Sequence, residues 1–187
     1  MTVETATRLY LLYVVMPIWL VAGFADYLCH RASRIAETSG WKESAIHILM
    51  LVQAGTPVLL GLLLDVNALV IAVMIAAFVL HEVTAHWDLA YAWRRREITP
   101  TEQHVHNYLA VIPFMAMSLV LVLHWPQALA LIGLGQEQAD WAVRFKAEPL
   151  PVEYVAGVLS AIAVFEILPY AEELLRGIRA RRRTGGR

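Results

Sequence analysis

Four of the chain's seven histidines lie in one stretch, HEVTAHWDLAYAWRRREITPTEQHVH, which runs from His81 to His106 and interleaves them with acids. Imidazole nitrogen and carboxylate oxygen together suit iron, manganese or zinc, and a carboxylate can bridge two ions or orient a ligating imidazole through its second nitrogen. The pattern extends beyond this stretch. Asp26 precedes His30 by four residues, Glu43 precedes His47 by four, Glu82 precedes His86 by four, and Glu102 precedes His106 by four. On a helix that spacing sets acid and imidazole a turn apart on one face.

Ordinary structure explains some of these acids better than others. Thr99-Pro100-Thr101-Glu102 has the pattern of a capped helix start, so Glu102 can serve as a capping-box residue as well as a ligand. Glu43 suits the first turn of a helix for its charge alone. Asp26 follows a long apolar run, and a carboxylate at that depth needs a partner. At about 100° per residue from His81, Glu82 lies at about 100°, Ala85 at about 40° and His86 at about 140°. One face is therefore expected to hold two histidines flanking a carboxylate, with Glu82 bridging or orienting and Asp88 at its edge as a supporting or interfacial acid. His104 and His106 are about 200° apart on an ideal helix, which makes His106 the better placed unless the first turn frays. Glu166 stands in apolar surroundings with Tyr170 and Glu173 four and seven residues later on the same face. It reads as a further ligand, a proton relay, a partner for a ligating histidine or a structural hydrogen-bond group. Glu37 is expected to be solvated, Cys29 to be a small buried hydrophobe, and His124 to be an interfacial histidine at the other end of its helix.

The elements that must position these residues are membrane spans. The chain has 187 residues, 59% hydrophobic and 17% charged, with a mean hydropathy of +0.56, which is too apolar for an ordinary soluble domain. No basic face argues for nucleic acid, and the single cysteine excludes an intrachain disulfide framework and a CxxC metal site. Apolar runs predict spans over about 9–30, 44–64, 68–93, 102–125 and 152–175, an interfacial helical segment within 127–151 and a basic tail over 176–187. Pro57 is expected to kink the second span, and Asp65-Val66-Asn67 to turn the second and third into an antiparallel hairpin. The first run lacks a basic region before it and a small-residue cleavage site after it, so it reads as a retained helix. Arg31, Arg34 and Lys42, then Arg94 to Arg96, then Arg176, Arg179, Arg181, Arg182, Arg183 and Arg187 fall on one side, against Arg8, Arg144 and Lys146 on the other. The positive-inside rule then puts the amino terminus outside and the carboxyl terminus in the cytoplasm of a bacterial-type inner membrane. The expected fold is an all-α integral membrane bundle of about five transmembrane helices, with a metal cluster at the cytoplasmic ends of the first four. Asp26, His30, Glu43, His47, His81, Glu82, His86, Glu102, His104 and His106 are the candidate ligands, and Glu82 and Glu166 the candidate catalytic carboxylates.

The H-x4-H of His81 and His86, with histidines at one end of four consecutive spans, resembles the histidine-rich membrane non-haem di-iron proteins, the fatty-acid hydroxylases and desaturases. The paired HH boxes of those families are absent, and the carboxylate share is higher. The resemblance implies two metal ions, iron first, that activate dioxygen against a lipid or other hydrophobic substrate. The expected activity is thus that of a membrane di-metal oxidoreductase. With no flavin or nicotinamide fingerprint in the chain, electrons would come from a separate donor protein. The alternatives are a zinc-dependent membrane hydrolase, with Glu82 deprotonating a metal-bound water, and a b-type cytochrome with two histidines as axial haem ligands.

Overall fold

A computed structural model describes residues 1–184, and their regular structure is helical throughout apart from an isolated β-bridge between Leu64 and Phe145. Arg187, counted above with the basic tail, lies outside the described residues. Among the described residues, five helices are long and apolar enough to cross a membrane: α1 (Val3–Ala32), α2 (Trp41–Leu63), α3 (Ala68–Ala92), α4 (Pro100–Leu123) and α5 (Val152–Arg183). α1 starts earlier than its apolar run because Thr2 caps it, accepting from Thr5 N, and Glu4 pairs with Arg8 one turn on. α2 runs unbroken through Pro57, and Asn67 caps α3 by accepting from Val70 N at 3.1 Å. Between α1 and α2, Arg34 and Gly40 take positive φ values of 54° and 78°, which turns the chain back on itself.

Two wide π turns interrupt the spans, Leu11–Val15 in α1 and Ala163–Ile167 in α5, and each stands just before a proline, Pro17 or Pro169. Proline cannot donate to the carbonyl four residues back and its ring crowds that carbonyl, so widening the turn relieves both problems. The second π turn packs beside α1 at Gly23. A Cβ there would stand 2.6 Å from Glu166 Oε1, so a larger residue would have to push the carboxylate aside. At the far end of α5, a Cβ on Gly177 would stand 2.8 Å from Trp41 Cα, which lets α5 close against the start of α2.

The expected interfacial helix within 127–151 is not formed over most of its length. Trp125–Leu131 is helical, Gly133 and Gly135 then adopt positive φ, and the chain beyond them up to Pro151 is irregular apart from the bridge residue Phe145. It lies across the α2–α3 turn as a strap: Asp65 N donates to Arg144 O, Lys146 N to Leu63 O, and Leu69 N to Asp140 O. The amphipathic pattern of Trp141 and Phe145 is overridden because these backbone groups find partners in the turn. Gln127 ties the strap down, its Oε1 accepting from Ala68 N and Asp140 N and its Nε2 donating to Glu137 and the Gln138 carbonyl.

Candidate metal centre

At the opposite end from the strap, all five spans deliver polar side chains to one buried place. α1 contributes Asp26 and His30, α2 Glu43 and His47, α3 Asp88, α4 Glu102 and His106, and α5 Glu166, Tyr170 and Glu173. His30, Glu43, Glu102 and Glu173 are 0% exposed. Arg96 enters from the turn between α3 and α4.

Glu173 organises the two central histidines. Its Oε2 accepts from His30 Nδ1 at 3.1 Å and its Oε1 from His47 Nδ1 at 2.8 Å, and the two rings stack with centroids 4.3 Å apart and 10° between planes. A carboxylate can only accept, so both Nδ1 atoms carry protons and, in the neutral rings, both Nε2 atoms are acceptors. His30 Nε2 has no hydrogen-bond partner; Asp26 Oδ2 lies 3.4 Å away and Glu102 Oε1 3.6 Å away. His47 Nε2 lies 3.3 Å from Asp88 Oδ2. An acceptor facing an acceptor in a buried site needs a cation between them, either a metal ion or a second ring proton.

His106 Nε2 stands 3.0 Å from Asp26 Oδ1, and Asp26 Oδ2 lies 3.2 Å from the Tyr170 hydroxyl, which is also 3.1 Å from Gly23 O. Two groups of potential ligand atoms lie within 4.8 Å of one another, Asp26 with His30 and His106, and His30 with Glu43 and His47. Arg96 closes the site on one side. Its Nε and Nη2 donate to Glu43 Oε1 at 3.0 and 2.7 Å, and Nη1 and Nη2 donate to Glu102 Oε2 and Oε1 at 2.9 and 2.6 Å. Burial alone would lower the guanidinium's proton affinity, but the hydrogen bonds to Glu102 and Glu43 outweigh it and hold Arg96 above its usual range. Glu102 thus has its backbone N–H capped by Thr99 Oγ1 at 3.2 Å while its carboxylate goes to Arg96 rather than back to the cap. Glu43 Oε2, Asp88 Oδ1 and Glu166 Oε1 are buried without a hydrogen-bond partner.

Of the ten candidate ligands, the structure brings Asp26, His30, Glu43, His47, Glu102 and His106 together and leaves the other four apart. His86 and His104 are exposed, and Glu82 is partly exposed with one buried oxygen unpartnered. His81 is buried, but about two turns before Asp88, nearer the membrane interior, where its Nδ1 donates to the Met50 carbonyl at 3.3 Å. The inward face of α3 runs through Val70, Met74, Ala77, His81, Thr84, Asp88 and Ala92, all buried. At about 100° per residue these lie within about 60° of His81. The face centred between His81 and His86 is thus displaced, and the acid presented to the site is Asp88, not Glu82. Arg96 is the residue that sequence reasoning placed only as a topological charge, and Glu173 entered only through its spacing from Glu166. Glu37 is exposed and Cys29 half-buried. At the far end of the bundle, burial, with Arg8 and Lys146 nearby, pushes the His124 imidazole down to about 4.

Compared with protein-family models, curated proteins and solved structures, the chain matches none.

Proposed function

We propose that this chain is a membrane-embedded di-metal oxidoreductase, with iron as its metal, that uses dioxygen against a hydrophobic substrate. One observation carries the reading: two stacked imidazoles are fixed through Nδ1 by Glu173, and each turns its Nε2 toward a further carboxylate, His30 toward Asp26 at 3.4 Å and His47 toward Asp88 at 3.3 Å. Charge supports it as well. The site buries six carboxylates, Asp26, Glu43, Asp88, Glu102, Glu166 and Glu173, and Arg96 pairs with two of them, Glu43 and Glu102, so an excess of buried acid is left that bound cations would offset. Carboxylate-oriented imidazoles are a recurrent feature of metal ligation, and the mixed nitrogen and oxygen donor set suits iron.

Asp26, His30 and His106 would hold one ion, and the second group, Glu43 and His47 with the shared His30, would hold the other, with Asp88 3.3 Å from His47 Nε2. Two iron ions, when bound, supply the pair of electrons that a two-electron oxidation requires, which a single zinc ion cannot. Glu173 orients both imidazoles. Arg96 takes up one oxygen of Glu43 and leaves Oε2 for the site, while the Tyr170 hydroxyl helps fix the Asp26 carboxylate. Glu166, with an unpartnered oxygen on a cavity that also reaches Asp26 and His47, is placed to hold or pass a proton beside a substrate. Apart from these residues and His81 and Tyr170, that cavity is walled by apolar side chains and glycines, which supports a substrate drawn from the bilayer. Electrons would come from a separate protein, and the arginine distribution orients the site toward the cytoplasm.

Elemental analysis of the purified protein together with its optical spectrum tests this. About two irons per chain, with no Soret band, is the expected result. One zinc and no iron would turn the reading to the hydrolase, and a Soret band would turn it to the cytochrome; either sinks the di-iron proposal.

A further inference from the structure

Two cavities lie end to end inside the bundle. The outer one, of about 160 Å³, reaches Leu62 on α2, and the inner one, of about 110 Å³, reaches His47; Met16, Trp19, Ala54, Val58 and His81 line both. From His47 to Leu62 the rise of α2 is about 22 Å. A path that long and that narrow takes one flexible chain and not a fused-ring body, since pockets for drug-sized ligands run to about 300 Å³ and more.

Polar atoms interrupt the apolar walls at one level. Thr84 gives its hydroxyl proton to the Leu80 carbonyl at 2.8 Å, so toward Gln53 it can only accept, and Gln53 Nε2 donates to it at 3.0 Å. This fixes the amide and turns Gln53 Oε1 away, buried and without a partner. His81, 8% exposed, is fixed in the same way by its Nδ1 bond to the Met50 carbonyl, which leaves Nε2 of the neutral ring as an acceptor. Both residues line the outer cavity. Two acceptors without donors in an apolar passage are costly unless a ligand supplies the hydrogen. A hydroxyl supplies it at little desolvation cost, whereas an ammonium would have to shed its hydration entirely, and a carboxylate would set a third acceptor against the other two.

We propose that the outer cavity, up to its junction with the inner one at His81, is a site for a single-chain alcohol. Its hydroxyl donates to His81 Nε2 or Gln53 Oε1, and its hydrocarbon chain occupies the outer cavity. The proposal rests on the metal-centre reading only for the direction of threading, with the hydroxyl end turned toward Asp26 and His47.

The test uses the full chain in lipid nanodiscs and a terminally brominated dodecanol, whose bromine quenches nearby tryptophan. Saturable quenching that disappears in Trp19→Phe is expected. Unlabelled dodecanol should compete about tenfold better than dodecane, dodecanoate or dodecylamine, the equivalent of one net hydrogen bond. His81→Phe and Gln53→Met should each reduce that preference toward parity with bound metal unchanged. Equal or better competition by the alkane, the carboxylate or the amine overturns the proposal, and the probe series on the unmodified protein decides even if a variant fails to fold. A metal-free His47→Ala protein that keeps the alcohol preference would leave this site standing while the metal reading is judged separately. A metal-loaded protein with no preference would sink the alcohol site alone.

Discussion

The two ends of the bundle bury polar groups in opposite ways. At the strap end, neutral amides of Asn67 and Gln127 pair with backbone groups of the α2–α3 turn and the chain from Asp140 to Lys146. At the histidine end, carboxylates, imidazoles and a guanidinium crowd together. Among the described residues, the buried side-chain atoms left without hydrogen-bond partners include His30 Nε2, Glu43 Oε2 and Asp88 Oδ1, and none come from the strap. Satisfied amides hold a fold, whereas unpartnered charges are tolerated where something else is meant to meet them. The difference separates a structural end from a chemical one within a single set of helices.

The sharpest way to break that comparison is at Arg96. Arg96→Met leaves Glu43 and Glu102 facing each other in a buried space, and the expected loss is about 3–5 kcal/mol, read from unfolding in detergent micelles. A loss below that of the strap variant described next would mean that the guanidinium is not what holds these carboxylates. Glu173→Gln should lower metal affinity by about 10- to 100-fold, measured by chelator competition, because one Nδ1–H loses its acceptor. Full metal retention there would separate the clamp from the ligation. On the other side, Gln127→Ala should cost about 1–3 kcal/mol by stranding the Ala68 and Asp140 N–H groups, with metal content unchanged. Loss of metal in that variant would erase the distinction between the two ends. The smallest effect is expected at His124, whose folded-state value of about 4 lies below the ordinary 6.5. Between those values the unfolded chain binds more protons, so the contribution is fully present above about pH 6.5 and is lost as pH falls toward 4. The difference in Tm between the natural protein and His124→Gln should therefore change across that window and stay flat above it.

The spans were legible in the sequence because hydrocarbon thickness fixes how many apolar residues a helix must offer, and the Thr99 cap was legible because its chemistry is local. The inward faces were not. Lipid tails are as apolar as leucine, so Val79, Leu80 and Val83 on the outside of α3 look the same as Met74 and Ala77 on the inside. With no contrast to set the phase, Glu82 and Asp88 could not be told apart by periodicity. Arg96 was hidden for another reason: a run of three arginines at a span end is already accounted for by topology, so nothing in the sequence marks one of them as buried. Glu173 carried a weak signal in its spacing from Glu166, but only the packing of α5 against α1 and α2 gives it two imidazoles. The strap was misread because alternating apolar residues suit an amphipathic helix as well as an irregular chain bonded to a turn.

The position of Glu173 in the chain also bears on how the protein is made. His47 and Glu173 are 126 residues apart, and α5 follows the other four described spans in the chain. At about 5–20 residues per second, roughly ten seconds of translation separate the two. The paired imidazoles therefore enter the membrane well before the carboxylate that sets their tautomers, and no incompletely synthesised chain carries the finished arrangement.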